Sequence, residues 1–297
     1  MNSTPPAFYD DIYRLLSSHS VAVCKDLPGV AGAIAIQNFD LLGYRRVVLN
    51  NGQVIDNGIF NFHKSVITRR REDLGDESRC VHAFILIVAN EETAESSSFA
   101  EDLKALLCSL KRHRLEIYLG SGIVGKNVQE FIRSLPYVSI LIVPSGCEMT
   151  EDLLKTIQDV VDKKTLNSVV FPTCNTKIVL DLLKQEQFER FISRKLSPSL
   201  LYEIIEDWKV NAEKMAGKLL SAVTSMEELQ PVELLTRINI GPCTVQEKAA
   251  FDIHYPRVRG FFWGKTFTTL ISRNATGRAI YWNFEREDSS ALYLQFA

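Results

Sequence analysis

Leu166-Asn167-Ser168-Val169-Val170-Phe171-Pro172-Thr173-Cys174 is the stretch on which the fold turns. Apolar side chains at 166, 169 and 171 alternate with polar or solvent-tolerant neighbours, the pattern of a half-buried strand. A small cysteine closes the run where the chain must bend. Leu235-Thr236-Arg237-Ile238-Asn239-Ile240-Gly241-Pro242-Cys243 has the same spacing at every one of these positions. Partial copies occur at Val81, Phe84, Leu86 and Ala89; at Leu115 and Ile117 with Gly120 at the turn; and at Leu135, Val138, Ile140 and Val143. Phe188 with Phe191, and Val258 with Phe261 and Trp263, are weaker ones. Recurrence over a few tens of residues is the signature of stacked units, each unable to bury its apolar face alone. The long interval between the copies at 188 and 235 has room for a degenerate unit.

The spacing L-x-x-L-x-L-x-x-N/C is that of leucine-rich repeats, in which the leucine-like positions enter the core and the terminal Asn or Cys serves the bend. On that pattern Cys174 and Cys243 are structural, since buried cysteine usually behaves as a small apolar residue. Helical stripes separate the strands expected at 81–89, 115–119, 138–143 and 168–171. They run through Leu103, Leu106, Leu107 and Leu110; Val128, Phe131, Ile132 and Leu135; Leu153, Leu154, Ile157, Val160 and Val161; and Ile178, Val179, Leu182 and Leu183. Each follows the i, i+3, i+4, i+7 spacing of a helix burying one face. Alternating strand and helix implies parallel strands, because parallel neighbours need a crossover.

The expected fold is therefore α/β: an irregular, ribonuclease-inhibitor-like solenoid with parallel strands, preceded by a small helical head. We divide it into a head over 1–40, an extended connector and loop over 41–80, a repeat body over 81–260 and a β-rich cap over 261–297. In the connector, Arg46–Leu49 reads as strand, with turn signals at Asn51-Gly52 and Asp56-Asn57-Gly58. The segment 198–223 reads as mostly helical, its face including Leu219, Leu220 and Val223. In the cap, 266–272 and 278–284 flank a hairpin turn at Asn274–Gly277, and Ala291–Phe296 forms a last strand. Stacked parallel strands form one continuous face. Its outward candidates for partner contact are Asn167, Ser168 and Val170, with Thr236, Arg237 and Asn239.

Composition narrows the function classes. The 297 residues are 46% hydrophobic and 24% charged with a net charge of −2, so no global field draws nucleic acid or an anionic membrane. The longest apolar run, about Phe84–Ala89, cannot span a bilayer. The start, Met1-Asn2-Ser3-Thr4-Pro5-Pro6, lacks the basic and apolar regions of a secretory signal. Cys24, Cys80, Cys108, Cys147, Cys174 and Cys243 form no CxxC pair and have no histidine at zinc-site spacing. Reduced thiols and a cytoplasmic or nuclear location are expected, with Asn274-Ala275-Thr276 left unglycosylated. Neither metal nor cofactor is expected.

The N-terminus resembles an F-box: Pro5, Phe8, Ile12 and Leu16 keep the spacing of a proline followed by apolar residues at helical steps. The motif's later part departs, since Val23-Cys24 leads into Lys25-Asp26 with no tryptophan. The whole chain loosely resembles the divergent F-box-like, repeat-bearing families of nematodes. The segments that carry this are Ala7–Ile12, Ile55–Gly58, and 271–274 with 280–282. The resemblance implies that Pro5, Phe8, Ile12 and Leu16 bind a cullin-ligase adaptor while the repeats hold a substrate protein for ubiquitin transfer. A scaffold that binds protein through its repeats alone is the nearest alternative.

The one motif with chemical content is Gly120-Ser121-Gly122-Ile123-Val124-Gly125-Lys126-Asn127, which fits both G-x-G-x-x-G and G-x-x-x-x-G-K between a strand and a helix. A nucleotide site there would use Gly120, Gly122, Gly125 and Lys126. Asn127 stands where Ser or Thr would hold Mg²⁺, and no strand candidate ends in the Asp that such a site needs. His19, His63, His82, His113 and His254 are scattered, and no nucleophile-elbow motif occurs. We therefore expect recognition rather than catalysis. The aromatic residues Phe261, Phe262, Trp263, Tyr281 and Trp282 near the C-terminus are core or, where exposed, binding anchors.

Overall fold

The computed structural model describes residues 5, 8–9, 24–41, 43–50, 53–61, 81–88, 114–173, 175–194, 196–223, 241–242, 244, 246, 267–285 and 291–297. The chain divides into two compact units: Met1–Ile140 with Cys147–Leu153, and Leu141–Gly146 with Leu154–Ala297.

In the first unit, helix α1 (Val30–Leu41) precedes a hairpin of β1 (Gly43–Asn50) and β2 (Gln53–Asn61). Strands β3 (Val81–Val88) and β4 (Arg114–Leu119) continue the sheet in parallel, and helix α2 (Lys126–Ser134) follows. The lateral order is β2-β1-β3-β4. The turn signal at Asn51-Gly52 falls between β1 and β2. Asp56-Asn57-Gly58 does not make the second turn its composition suggests. All three lie inside β2, opposite Val48, Val47 and Arg46. Strand pairing overrides the local turn preference. The irregularity that does exist is a bulge one residue earlier, where the register skips Ile55 between Val48 and Leu49.

The second unit takes β5 (Ile140–Ile142) from its second residue and helix α3 (Glu151–Asp162) from Leu154, then β6 (Ser168–Phe171), α4 (Thr176–Leu183), β7 (Arg190–Ser193), α5 (Pro198–Met215) and β8 (Leu219–Val223). Strands β5-β6-β7-β8 neighbour one another in chain order, with β6, β7 and β8 parallel. Then come β9 (Gly241–Pro242), β10 (Phe267–Arg273), β11 (Ala279–Glu285) and β12 (Ala291–Phe296). They join as an antiparallel block in the order β12-β11-β10-β9, with β12 antiparallel to β8. The β10–β11 hairpin turns through Asn274–Gly277, where Gly277 takes φ +83° and Asn274 Oδ1 accepts from the N–H of Thr276 and Arg278.

Two differences from the sequence expectation are instructive. Leu219–Val223 is a strand, not the end of the long helix. Asn211 leaves helical geometry, and Gly217 (φ +80°) closes the turn, so the apolar residues beyond it pair beside β7. The strand falls in the interval between 188 and 235. The end of the second complete motif copy, Gly241-Pro242, pairs antiparallel with β10 rather than stacking in parallel. Cys174, Cys243 and 235–240 lie outside the described residues.

The cores follow from the stripes. In the first unit Phe84, Leu86, Val88, Leu115, Ile117 and Leu119 are buried, together with Val128, Phe131 and Ile132 of α2. In the second, Val169, Phe171, Phe191 and Leu220 are fully buried, with Val160, Leu182, Leu201, Ile205 and Trp208. Phe171 and Phe191 meet edge to face at 6.1 Å.

Polar side chains bind the turns of the second unit. Gln185 Nε2 donates to Val161 O at the end of α3 (2.8 Å), and Lys218 Nζ donates to Gln185 O (2.6 Å) and Phe188 O (2.8 Å). Each side chain sits just before a strand and satisfies carbonyls of the preceding turn.

Candidate functional site

Parallel sheets are usually covered on both faces. These are not. Along β4 the sequence Arg114-Leu-Glu-Ile-Tyr-Leu119 alternates between outward and buried positions. Strands β6 and β7 alternate half-exposed and buried residues in the same way. Strand order explains it. Parallel neighbours in chain order, joined by right-handed crossovers, place every connecting helix on one side of the sheet. Helices α4 and α5 pack against each other accordingly. The opposite face stays partly open.

In the first unit the register aligns Arg46, Ile85 and Glu116 across β1, β3 and β4, with Val48, Ile87 and Tyr118 in the next row. All six are half-exposed. An aliphatic centre is thus flanked by polar groups that satisfy one another. Arg46 Nη2 meets Asp56 Oδ2 at 2.6 Å. Glu116 accepts from Tyr118 Oη at 3.1 Å through Oε2 and pairs with Arg114 Nε at 3.0 Å through Oε1. Burial, then the Glu116 carboxylate beside it, push the Tyr118 phenol up to about 12. It stays a neutral donor at any physiological pH.

In the second unit Ser168 aligns with Arg190, and Val170 with Ile192 and Ser221, all half-exposed. Two of the sequence candidates, Ser168 and Val170, thus stand on the open face. Asn167 is exposed but precedes the strand on the other parity. Its carbonyl accepts from the N–H of Glu189 and Arg190. Thr236, Arg237 and Asn239 lie outside the described residues. No protein family matches this sequence, and no curated protein matches it.

The loop of Gly120, Gly122, Gly125 and Lys126 is tied into the fold. Gly122 takes φ +92° and bridges Cys147 in parallel, its carbonyl accepting from Glu148 N at 2.8 Å. Gln129 Nε2 donates to Val124 O at 2.7 Å. Gly125 caps α2 without a side-chain bond, and Lys126 is exposed. Ser139 N–H donates to Leu115 O, so the chain leaving α2 returns beside β4, on the side away from β3. The order does not reverse at Gly120, as it would at the ligand crevice of a doubly wound sheet. Burial, then Glu148, push the Cys147 thiol up, which suits an inert core cysteine.

Around the head, Phe8 is 52% exposed and its N–H donates to Pro5 O, opening a helical turn. Ile12 and Leu16 lie outside the described residues. Leu27, Val30 and Ile36 are also about half exposed, on a segment whose helix α1 has no basic residue in its last turn and no acidic one in its first. Tyr281 and Trp282 are buried and belong to the core, while 261–263 lie outside the described residues. Among the described residues no group of His, Cys, Asp or Glu could hold a metal ion, and no helix is long and apolar enough to cross a membrane.

Residues missed from sequence are Arg46, Ile85, Ile87, Glu116, Tyr118 and Ile192. The alternation within each strand contains them, but only the register shows that they share one surface.

Proposed function

We propose that this chain is a non-catalytic recognition protein that binds a protein partner on the open face of its parallel strands, as irregular leucine-rich-repeat scaffolds do. The observation that carries this reading is the buried/half-exposed alternation along strands stacked in chain order. Partner surfaces of this kind join an apolar centre to a polar rim. Val48, Ile85 and Ile87 in one unit, and Val170 and Ile192 in the other, provide such centres. Internally satisfied pairs at Arg46–Asp56 and Glu116–Tyr118 border the first.

The finer reading is substrate recognition for a cullin-type ubiquitin ligase, with the adaptor held by Pro5, Phe8, Ile12 and Leu16. Support comes from the exposure of Phe8 and the apolar surface at Leu27, Val30 and Ile36. The test is pull-down of purified adaptor by the wild-type chain and by Phe8→Asp and Ile12→Asp, with folding checked by circular dichroism. Loss in both variants supports the ligase reading. Equal recovery, or no recovery with any chain, removes it and leaves the repeat-only scaffold. For the face itself, proximity labelling compares wild type with Ile85→Asp and Ile192→Asp. A partner set that neither variant changes would overturn the binding role of the open strands.

A further inference from the structure

We propose that Ser145 is a phosphorylation site whose phosphate is received by Arg194. Ser145 lies in the turn after β5, and Arg194 directly follows β7; both are exposed. They stand 49 positions apart in the sequence, yet Arg194 Nη1 donates to Ser145 Oγ at 2.9 Å. Strand β6 sets this meeting from both sides. Val143 N–H donates to Val170 O at 2.8 Å, and Arg194 N–H donates to Phe171 O at 3.2 Å. The chain after β5 and after β7 is thus anchored to the last two residues of one strand, and all of these residues belong to the second unit. Nothing in this arrangement depends on what the open face binds.

The pair is unbalanced as it stands. A guanidinium offers five N–H donors and a full positive charge, whereas a hydroxyl takes one donor and none of the charge. Arg46 and Arg114 meet carboxylates, those of Asp56 and Glu116. Among the described residues Arg194 meets none. A phosphate on the same oxygen supplies about −1.5 to −2 charges and three strong acceptors. Arginine binds phosphate through paired, charge-assisted hydrogen bonds. The carboxylate of Glu148, exposed three residues on, gives an acid-directed serine kinase its recognition group. Cys147 between them is buried and Glu148 N–H donates to Gly122 O, so the kinase takes the loop when this short anchor opens. In the transfer the γ-phosphorus of ATP bonds to Ser145 Oγ and its bond to the β,γ-bridging oxygen breaks. ADP leaves, and the hydroxyl proton passes to the kinase's aspartate. The product fastens the start of the β5–α3 loop to the end of β7, just before the chain leaves the second unit after Gly146.

Incubation of the folded full chain with Mg·ATP and an acid-directed serine kinase tests the modification. Peptide mapping should place phosphate on Ser145, with that label lost in Ser145→Ala and transfer slowed in Glu148→Lys. Phosphorus NMR titration of the modified chain tests the role of Arg194. The second ionisation of a phosphoserine, ordinarily at about 6, should fall in the folded chain, because the guanidinium favours the dianion. Arg194→Gln, an exposed change, should return it to the value measured in urea, with unchanged circular dichroism. Ser145 left unmodified while a control peptide is labelled, transfer undiminished in Glu148→Lys, or an ionisation that ignores Arg194→Gln would each overturn the assignment.

Discussion

Lys218 Nζ lies 2.6 Å from the carbonyl oxygen of Gln185, and that same glutamine's side chain reaches Val161 O. A buried ammonium thus holds the α4–β7 turn while the turn holds the end of α3. Burial lowers the pKa of this lysine, and Glu189 and Glu186 draw it back up. Lys218→Met would keep the aliphatic stem but orphan the carbonyls of Gln185 and Phe188. The expected loss is about 1–3 kcal/mol in urea unfolding. A loss no larger than that of an exposed control such as Lys209→Met would show that the carbonyls find other donors.

The two sides of β7 should respond in opposite ways. Phe191 is fully buried against Phe171 and neighbouring aliphatic residues, so Phe191→Ala should cost about 3–5 kcal/mol. Ile192, one residue on, is half-exposed. Ile192→Ser should cost about 1 kcal/mol or less. Thermal melts of the two variants measure this. Equal losses would mean that the second face is as buried as the first.

Tyr118 supplies a pH signature. Its phenol is raised from 10.0 to about 12, so the unfolded chain releases that proton before the folded one does. Its contribution to stability is whole below pH 10 and is lost as pH rises through about 12. Ultraviolet difference titration against Tyr118→Phe isolates this phenol. Glu116→Gln should move its ionisation back toward the ordinary value, though not fully, because burial remains the larger cause. No movement would remove Glu116 from the account.

Gly122 should tolerate no side chain. At φ +92°, alanine costs about 1–2 kcal/mol. Thermal shift with Mg·ATP and with NAD should leave the wild-type midpoint unchanged at millimolar ligand, and Lys126→Ala should behave as wild type. A saturable, Lys126-dependent rise would restore the phosphate-loop reading.

Much of this architecture is legible without coordinates. Ser168–Phe171 is a strand at the bounds its alternation suggests, because the pattern agrees with its burial, and Ala291–Phe296 is a strand at the expected bounds although Leu292–Phe296 are buried throughout. Leu219–Val223 misleads because Leu-Leu-x-x-Val also fits a helix. The deciding signal is Gly217, whose positive φ ends the turn. Asp56-Asn57-Gly58 misleads for the converse reason: turn-forming residues yield to pairing with β1. The open-face site is harder to see. Register across three strands joins Arg46 to Ile85 and Glu116, and nothing local to any one strand encodes it. A buried Lys218 is harder still, since lysine is ordinarily a surface residue.

The last strand has an evolutionary consequence. Phe296 N–H donates to Lys218 O, Gly217 N–H to Phe296 O, and β12 runs against the direction of β8. A further strand–helix module appended after β8 would find its docking ridge already taken and its polarity reversed. A module inserted ahead of β8 would meet a parallel neighbour, whereas one placed after it would have to displace the antiparallel β12.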